Sequence, residues 1–165
     1  MSADQDFCDA LRESFFNDGG SPRGIWVIDF LPRRVPREAG ERYFAAEDFL
    51  RSPPRTRMRG LYERYASLVL RLSCYYRILA STEAEGGWTE PDPETLLRLI
   101  ETLPDRPDPD SPAGCVTLLF PDERGLLTAD GEELYMTLYN PPEEMLKTVK
   151  ALASAEGVFV RRGAE

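Results

Sequence analysis

The segment from about 56 to 73 constrains the fold more than any other part of the chain. Met58, Leu61, Tyr62, Tyr65, Leu68, Val69 and Leu72 recur at 3.6-residue spacing along one face. Arg57, Arg64 and Arg71 follow one another at seven-residue intervals on a flank of that face. A stripe of this kind faces a core, so 56–73 is predicted as a core helix.

The remaining segments are read by the same means. Phe7, Leu11, Phe15 and Phe16 have helical spacing and predict a short amphipathic helix over 4–16, stopped by Asn17-Asp18-Gly19-Gly20-Ser21-Pro22. The run 24–31 is continuous enough for a strand inside a sheet, and Pro32 and Pro36 end it. Residues 38–50 predict a short helix with Tyr43, Phe44, Phe49 and Leu50 as its apolar side. Residues 74–81 can continue the core helix or form a strand, and their aromatic and β-branched content favours the strand. A loop follows from Glu83 to Pro91. Asp92-Pro93 then starts a helix that buries Leu96, Leu97, Ile100 and Leu103. Four prolines make 104–112 an exposed connection.

Strands are predicted over 115–120, 125–128 and 134–139, with Asp130-Gly131 as the dipeptide of a tight hairpin turn. Asn140-Pro141-Pro142-Glu143-Glu144 reads as an N-cap, then proline, then acids that suit the helix dipole. Met145, Leu146, Val149, Leu152 and Ala153 form the buried stripe of that helix, Gly157 caps it, and 158–160 is a last strand. The order α-β-α-α-β-α-β-β-β-α-β argues for an α+β domain. Its expected form is a mostly antiparallel sheet of about four to five strands with helices packed on one face.

At 165 residues the chain has the length of one globular domain, 1–165. A domain of that size buries roughly 70% of its unfolded surface and needs no disulfide or structural metal. The richest apolar stretch, 61–79, is broken by Glu63, Arg64, Arg71 and Arg77, so no membrane span is expected. The first six residues are acidic and lack an apolar core, so no signal peptide is expected and the cytoplasm is the expected compartment. Cys8, Cys74 and Cys115 are scattered and odd in number, which reads as three reduced thiols, mostly buried.

The net charge of −9 is unevenly spread. Residues 23–71 carry eleven arginines against six acids, and residues 83–156 carry seventeen acids against five bases. An acidic total disfavours nucleic acid and anionic lipid as partners. The acidic half either meets a basic protein partner or is neutralised by the basic stretch within the fold.

The chain has no histidine, which removes Ser-His-Asp and Cys-His nucleophile systems and imidazole zinc sites. It has no phosphate-binding or dinucleotide-binding glycine motif. No cofactor and no metal site is expected. Carboxylate, tyrosine and arginine chemistry remains. Asp29 interrupts an apolar strand beside Trp26 and is the candidate buried functional acid, unless it simply pairs with Arg33 or Arg34. Trp88, in a Gly-rich loop between acids, is a candidate binding anchor or a hydrophobic staple ahead of the Asp92 helix. The acids Glu83, Glu85, Glu90, Glu132 and Glu133 join Trp88 as candidate partner-binding residues. The arginine-rich run 51–59 can touch phosphate, but it reads better as a solvated lead into the core helix.

Trp26-Val-Ile-Asp-Phe-Leu-Pro32, Tyr135-Met-Thr-Leu-Tyr-Asn-Pro141 and Leu152-Ala-Ser-Ala-Glu-Gly-Val-Phe-Val160 resemble stretches in small acidic proteins of Gram-positive bacteria. The resemblance implies a bacterial origin. It brings no activity and assigns no site residue.

Two functions are carried forward. One is a non-enzymatic protein-binding module, immunity-like or regulatory, that presents an acidic surface; acidic surfaces steer association with basic partners. The other is a small enzyme built on carboxylates, tyrosine and arginine, with or without Mg²⁺. It needs a concave pocket where two or more of Asp29, Glu132, Glu133, Tyr135 and Tyr139 converge. Self-association by pairing of the basic and acidic stretches is a further expectation.

Overall fold

The computed structural model describes residues 3–17, 19–82, 86–105 and 114–163. The first helix, α1, spans Ala3–Phe16, and strand β1 spans Ile25–Asp29. A short 3₁₀ turn over Arg37–Ala39 leads into α2 (Gly40–Arg51), which α3 (Thr56–Leu72) follows. Strand β2 covers Leu79–Thr82 and α4 covers Pro93–Glu101, with a 3₁₀ turn at Leu103–Asp105. Strands β3 (Cys115–Phe120), β4 (Gly125–Asp130) and β5 (Tyr135–Tyr139) come next, then α5 (Glu143–Ala155) and β6 (Phe159–Arg162). This is the order expected from the sequence. The sheet has six strands, β2-β3-β4-β5-β1-β6, rather than four or five, and every pairing in it is antiparallel.

The main core lies on one face of this sheet. There α3 buries Met58, Leu61, Tyr62, Tyr65, Leu68, Val69 and Leu72, the whole predicted stripe, together with Ala66. Ile100 of α4 and Met145, Val149 and Ala153 of α5 join it, as do Val116, Leu118, Leu127, Met136, Leu138 and Ile28 from the sheet. Helices are not confined to that face. Cys8, Leu11 and Phe15 of α1 pack with Leu79, Trp88, Leu119 and Leu126 in a separate cluster on the opposite face.

Local chemistry explains the helix ends. Asp92 caps α4 by accepting from the Thr95 amide and hydroxyl, both at 2.9 Å. Those two donors hold its carboxyl below the usual carboxylate range. Asn140 does not cap α5, whose N-cap is Pro142. Asn140 is buried at φ +55°, accepts from the Arg23 amide at 3.0 Å and donates to the Arg124 carbonyl at 2.9 Å. It therefore stitches the start of β1 to the β3–β4 turn.

Three further expectations change. Residues 74–81 form a strand only from Leu79, because the amides of Cys74, Tyr75 and Tyr76 bond back to Arg71 and Leu72 and close turns after α3. Asp130-Gly131 opens a four-residue connection, 131–134, rather than a two-residue turn. Gly131 is required there by close approach: a Cβ would lie 2.3 Å from the Leu103 carbonyl oxygen. The predicted apolar side of α2 is not a core face. None of its residues is buried, and Phe44 and Phe49 are 61% and 55% exposed. Most of the proline-rich connection expected over 104–112 lies outside the described residues. No helix among the described residues is long and apolar enough to cross a membrane.

The two charge-biased stretches meet in the fold. Arg51 pairs with Glu132, Arg59 with Asp105, Arg71 with Glu156 and Arg77 with Glu90. The run 51–59 is accordingly tied down, with Arg55 donating to the Pro104 carbonyl at 2.8 Å and Arg57 over the Phe49 ring.

None of the three cysteines is in a disulfide, but only Cys8 is buried; Cys74 is exposed and Cys115 half-buried. Burial, then the nearby Asp4 and Asp9 carboxylates, pushes the Cys8 thiol up. Iodoacetamide at pH 8 is expected to label Cys74 at least about tenfold faster than Cys8 in the native protein, with the difference lost in denaturant. Peptide mapping of the labelled sites over time checks this.

Candidate cleft on the second face of the sheet

Strand register arranges the second face of the sheet in three cross-strand rows. Leu79, Leu119, Leu126, Tyr139 and Ile25 make an apolar row. Ser81, Thr117, Thr128 and Thr137 make a row of hydroxyls that continues through Val27 to Arg161. Cys115, Asp130, Tyr135, Asp29 and Phe159 make the third. Helix α1 covers the apolar row alone, with Phe16 set edge-to-face on Tyr139 at 5.3 Å between centroids. The hydroxyl row and part of the third row are left as the floor of a cleft of about 440 Å³, walled on the α1 side by Arg12 and Phe16. That volume lies in the range of ligand-sized clefts, roughly 300–1,000 Å³.

Trp88 positions α1. It is 6% exposed, so it is not a surface anchor. Its indole N–H donates to Asp9 at 3.0 Å, its amide donates to Gln5 Oε1 at 2.8 Å, and its carbonyl accepts from Gln5 Nε2 at 3.0 Å. The indole is thus stapled to α1, not to the Asp92 helix.

Asp29 is buried, and its partner is neither Arg33 nor Arg34. Arg161 of β6 donates to Asp29 Oδ2 from Nη2 at 2.8 Å and from Nε at 3.3 Å, and the Leu31 amide donates to Oδ1 at 3.2 Å. Both carboxylate oxygens accept hydrogen bonds and the charge is paired with Arg161, so Asp29 ties β1 to β6.

The other candidate acids scatter. Glu132 pairs with Arg51, and Glu90 pairs with Arg77 and does not line the cleft. Glu83 and Glu85 lie outside the described residues. Glu133 is the acid that reaches the cleft, where it lines the wall with Asp130, Tyr135 and Tyr139. Burial, then Glu133, pushes the Tyr135 hydroxyl up, and burial, then Glu47 and Asp29, does the same for Tyr43. Both phenols stay protonated at neutral pH and act as donors. Among the described residues no three or more of Cys, Asp and Glu are gathered so as to hold a metal ion.

Two sets of cleft residues escape a reading of the sequence alone. The threonines leave a trace there as the triplets Val116-Thr117-Leu118, Leu127-Thr128-Ala129 and Met136-Thr137-Leu138, each a polar residue between two that face the core. Arg33, Arg34 and Arg37 line a pocket adjoining the cleft, and the sequence marks them only as cations near Asp29.

Asp29→Asn is expected to cost about 2–3 kcal/mol in urea unfolding, because it strands a mostly buried guanidinium. Arg161→Gln also destabilises, and the double variant is expected to lose at least ~1 kcal/mol less than the two single losses added. Additive losses would show that the pair is not coupled.

No protein-family model matches the chain, no curated protein is significantly similar to it, and no solved structure matches it. Its geometry alone bears on function.

Proposed function

We propose that this chain is a non-enzymatic protein-binding module that docks a partner against the half-covered face of its sheet. One observation carries this. Phe16, Ile25, Phe44 and Phe159 are exposed by 59%, 37%, 61% and 42%, and all four border that face. Apolar residues gathered around a polar floor suit a partner surface, since aromatic anchors supply most of the energy of an interface and hydroxyls its register. Asp130 and Glu133 make one end of the cleft acidic, which favours a basic group of the partner there. Neutralisation of a toxin or regulation of an enzyme are roles in which such a surface acts.

The second reading is a small enzyme, and a specific observation favours it. Glu133, Tyr135 and Tyr139 line one cleft, and Asp29 and Tyr135 line the pocket adjoining it. In that case Glu133 is the working carboxylate, because Asp29 is engaged by Arg161.

Affinity capture from the native cell at low salt tests the docking. A stoichiometric protein partner is expected with the wild-type chain and with Phe49→Ser, which lies away from the face. It is expected to be lost with Phe16→Ser/Phe159→Ser. Equal capture by all three chains overturns the docking face, and no stoichiometric partner overturns the binding module in favour of the enzyme. Recovery of the chain itself is resolved by light scattering at low and high salt.

A further inference from the structure

Beside the cleft lies a second pocket of about 380 Å³, which meets the first at Tyr135. Its charge is opposite to that of the chain as a whole. Arg33, Arg34 and Arg37 line it, all three exposed. None of their side chains has an ion pair or hydrogen bond among the described residues. Elsewhere the fold occupies most of its guanidinium groups: Arg23 on the Asn140 carbonyl, Arg51 between Glu47 and Glu132, Arg71 on Glu156, Arg98 on Glu94. A protein of net charge −9 therefore keeps around one cavity three cations that no described residue engages. The one acid in the wall, Asp29, is already neutralised by Arg161. Glu38 and Glu41 belong to the same stretch of chain, but they are exposed and are not wall residues.

The rest of the wall is apolar and aromatic. Val35 and Pro36 form one side, and the rings of Tyr43 and Phe44, from the first turns of α2, form the other. Phe44 belongs to the predicted apolar side of α2, and it lines this pocket. Guanidinium forks recognise planar or tetrahedral oxyanions through paired N–H bonds, and flat rings pack on aromatic edges and faces. A polyanion is disfavoured by the overall charge, and a cavity of this size holds only a small molecule.

We propose that this pocket binds an aryl oxyanion, an aromatic ring carrying a carboxylate or a phosphate, with the ring against Tyr43 and Phe44 and the oxyanion on Arg33, Arg34 and Arg37. The site does not depend on the docking of a protein partner. Isothermal titration at low salt with phenyl phosphate, benzoate, inorganic phosphate and phenol tests it. Phenyl phosphate or benzoate is expected to saturate one site, at least about tenfold more tightly than inorganic phosphate or phenol, and the better of the two identifies the oxyanion. Arg34→Gln/Arg37→Gln is expected to weaken that binding by at least about tenfold at an unchanged melting temperature, since neither side chain has a partner to lose. Arg42→Gln, an exposed and unengaged arginine of α2 outside the wall, is expected to leave it unchanged. Three results overturn the proposal: no saturation by either aryl anion, equal affinity for inorganic phosphate, or an equal loss in Arg42→Gln.

Discussion

Two phenol hydroxyls at the heart of α3 hold the connection between β4 and β5, and much of the molecule depends on that tie. Tyr62 donates to the carbonyls of Asp130 and Glu133, and Tyr65 donates to that of Leu134 at 2.5 Å. Both side chains are buried, and burial drives both hydroxyls well above the ordinary phenol value, so they stay protonated as donors at neutral pH. The connection carries Glu132 to Arg51, which anchors the end of α2, and carries Glu133 to the cleft wall. In this way one helix in the main core sets the place of both cavities on the opposite face. Backbone carbonyls buried in a connection need donors, and here a helix supplies them where a strand cannot.

The two faces of the sheet are treated differently. One is sealed by α3, α4 and α5. On the other, α1 covers the row of Leu79, Leu119 and Leu126 and stops at Tyr139, and α2 borders only the pocket beside Asp29 and Tyr135. Trp88 decides how far α1 reaches, because three hydrogen bonds fasten it there. The half-buried hydroxyl row is the part of the face that tolerates water, so the fold leaves it open at little cost while hiding the leucines.

Features held by residues close together in the chain were legible in the sequence. The α3 stripe, the Asp92 cap and the order of the elements all follow from spacing and from local hydrogen bonding. Features held across the chain were not. Asp29 finds its cation at position 161 rather than at 33 or 34, because β6 pairs with β1 and sets Arg161 one same-face register step away. Trp88 finds α1, and Asn140 finds Arg23. The apolar side of α2 was legible as a pattern, but not its split, in which Leu50 packs on the main core while Tyr43 and Phe44 border a pocket. The hydroxyl row exists only once four strands are in register, which no single strand states.

Strand β6 is the last in the sheet, and its outer backbone groups meet no further strand. Such an edge invites addition of a strand from another molecule. Here two consecutive arginines stand on it, Arg161 turned to the cleft face and Arg162 near the Trp26 ring on the other. Any strand laid alongside must accept a cation on both faces at once, and a second copy brings two more of the same sign. Arg161, held against Asp29, and Arg162 on the other face thus make this edge a poor seat for a strand of like charge.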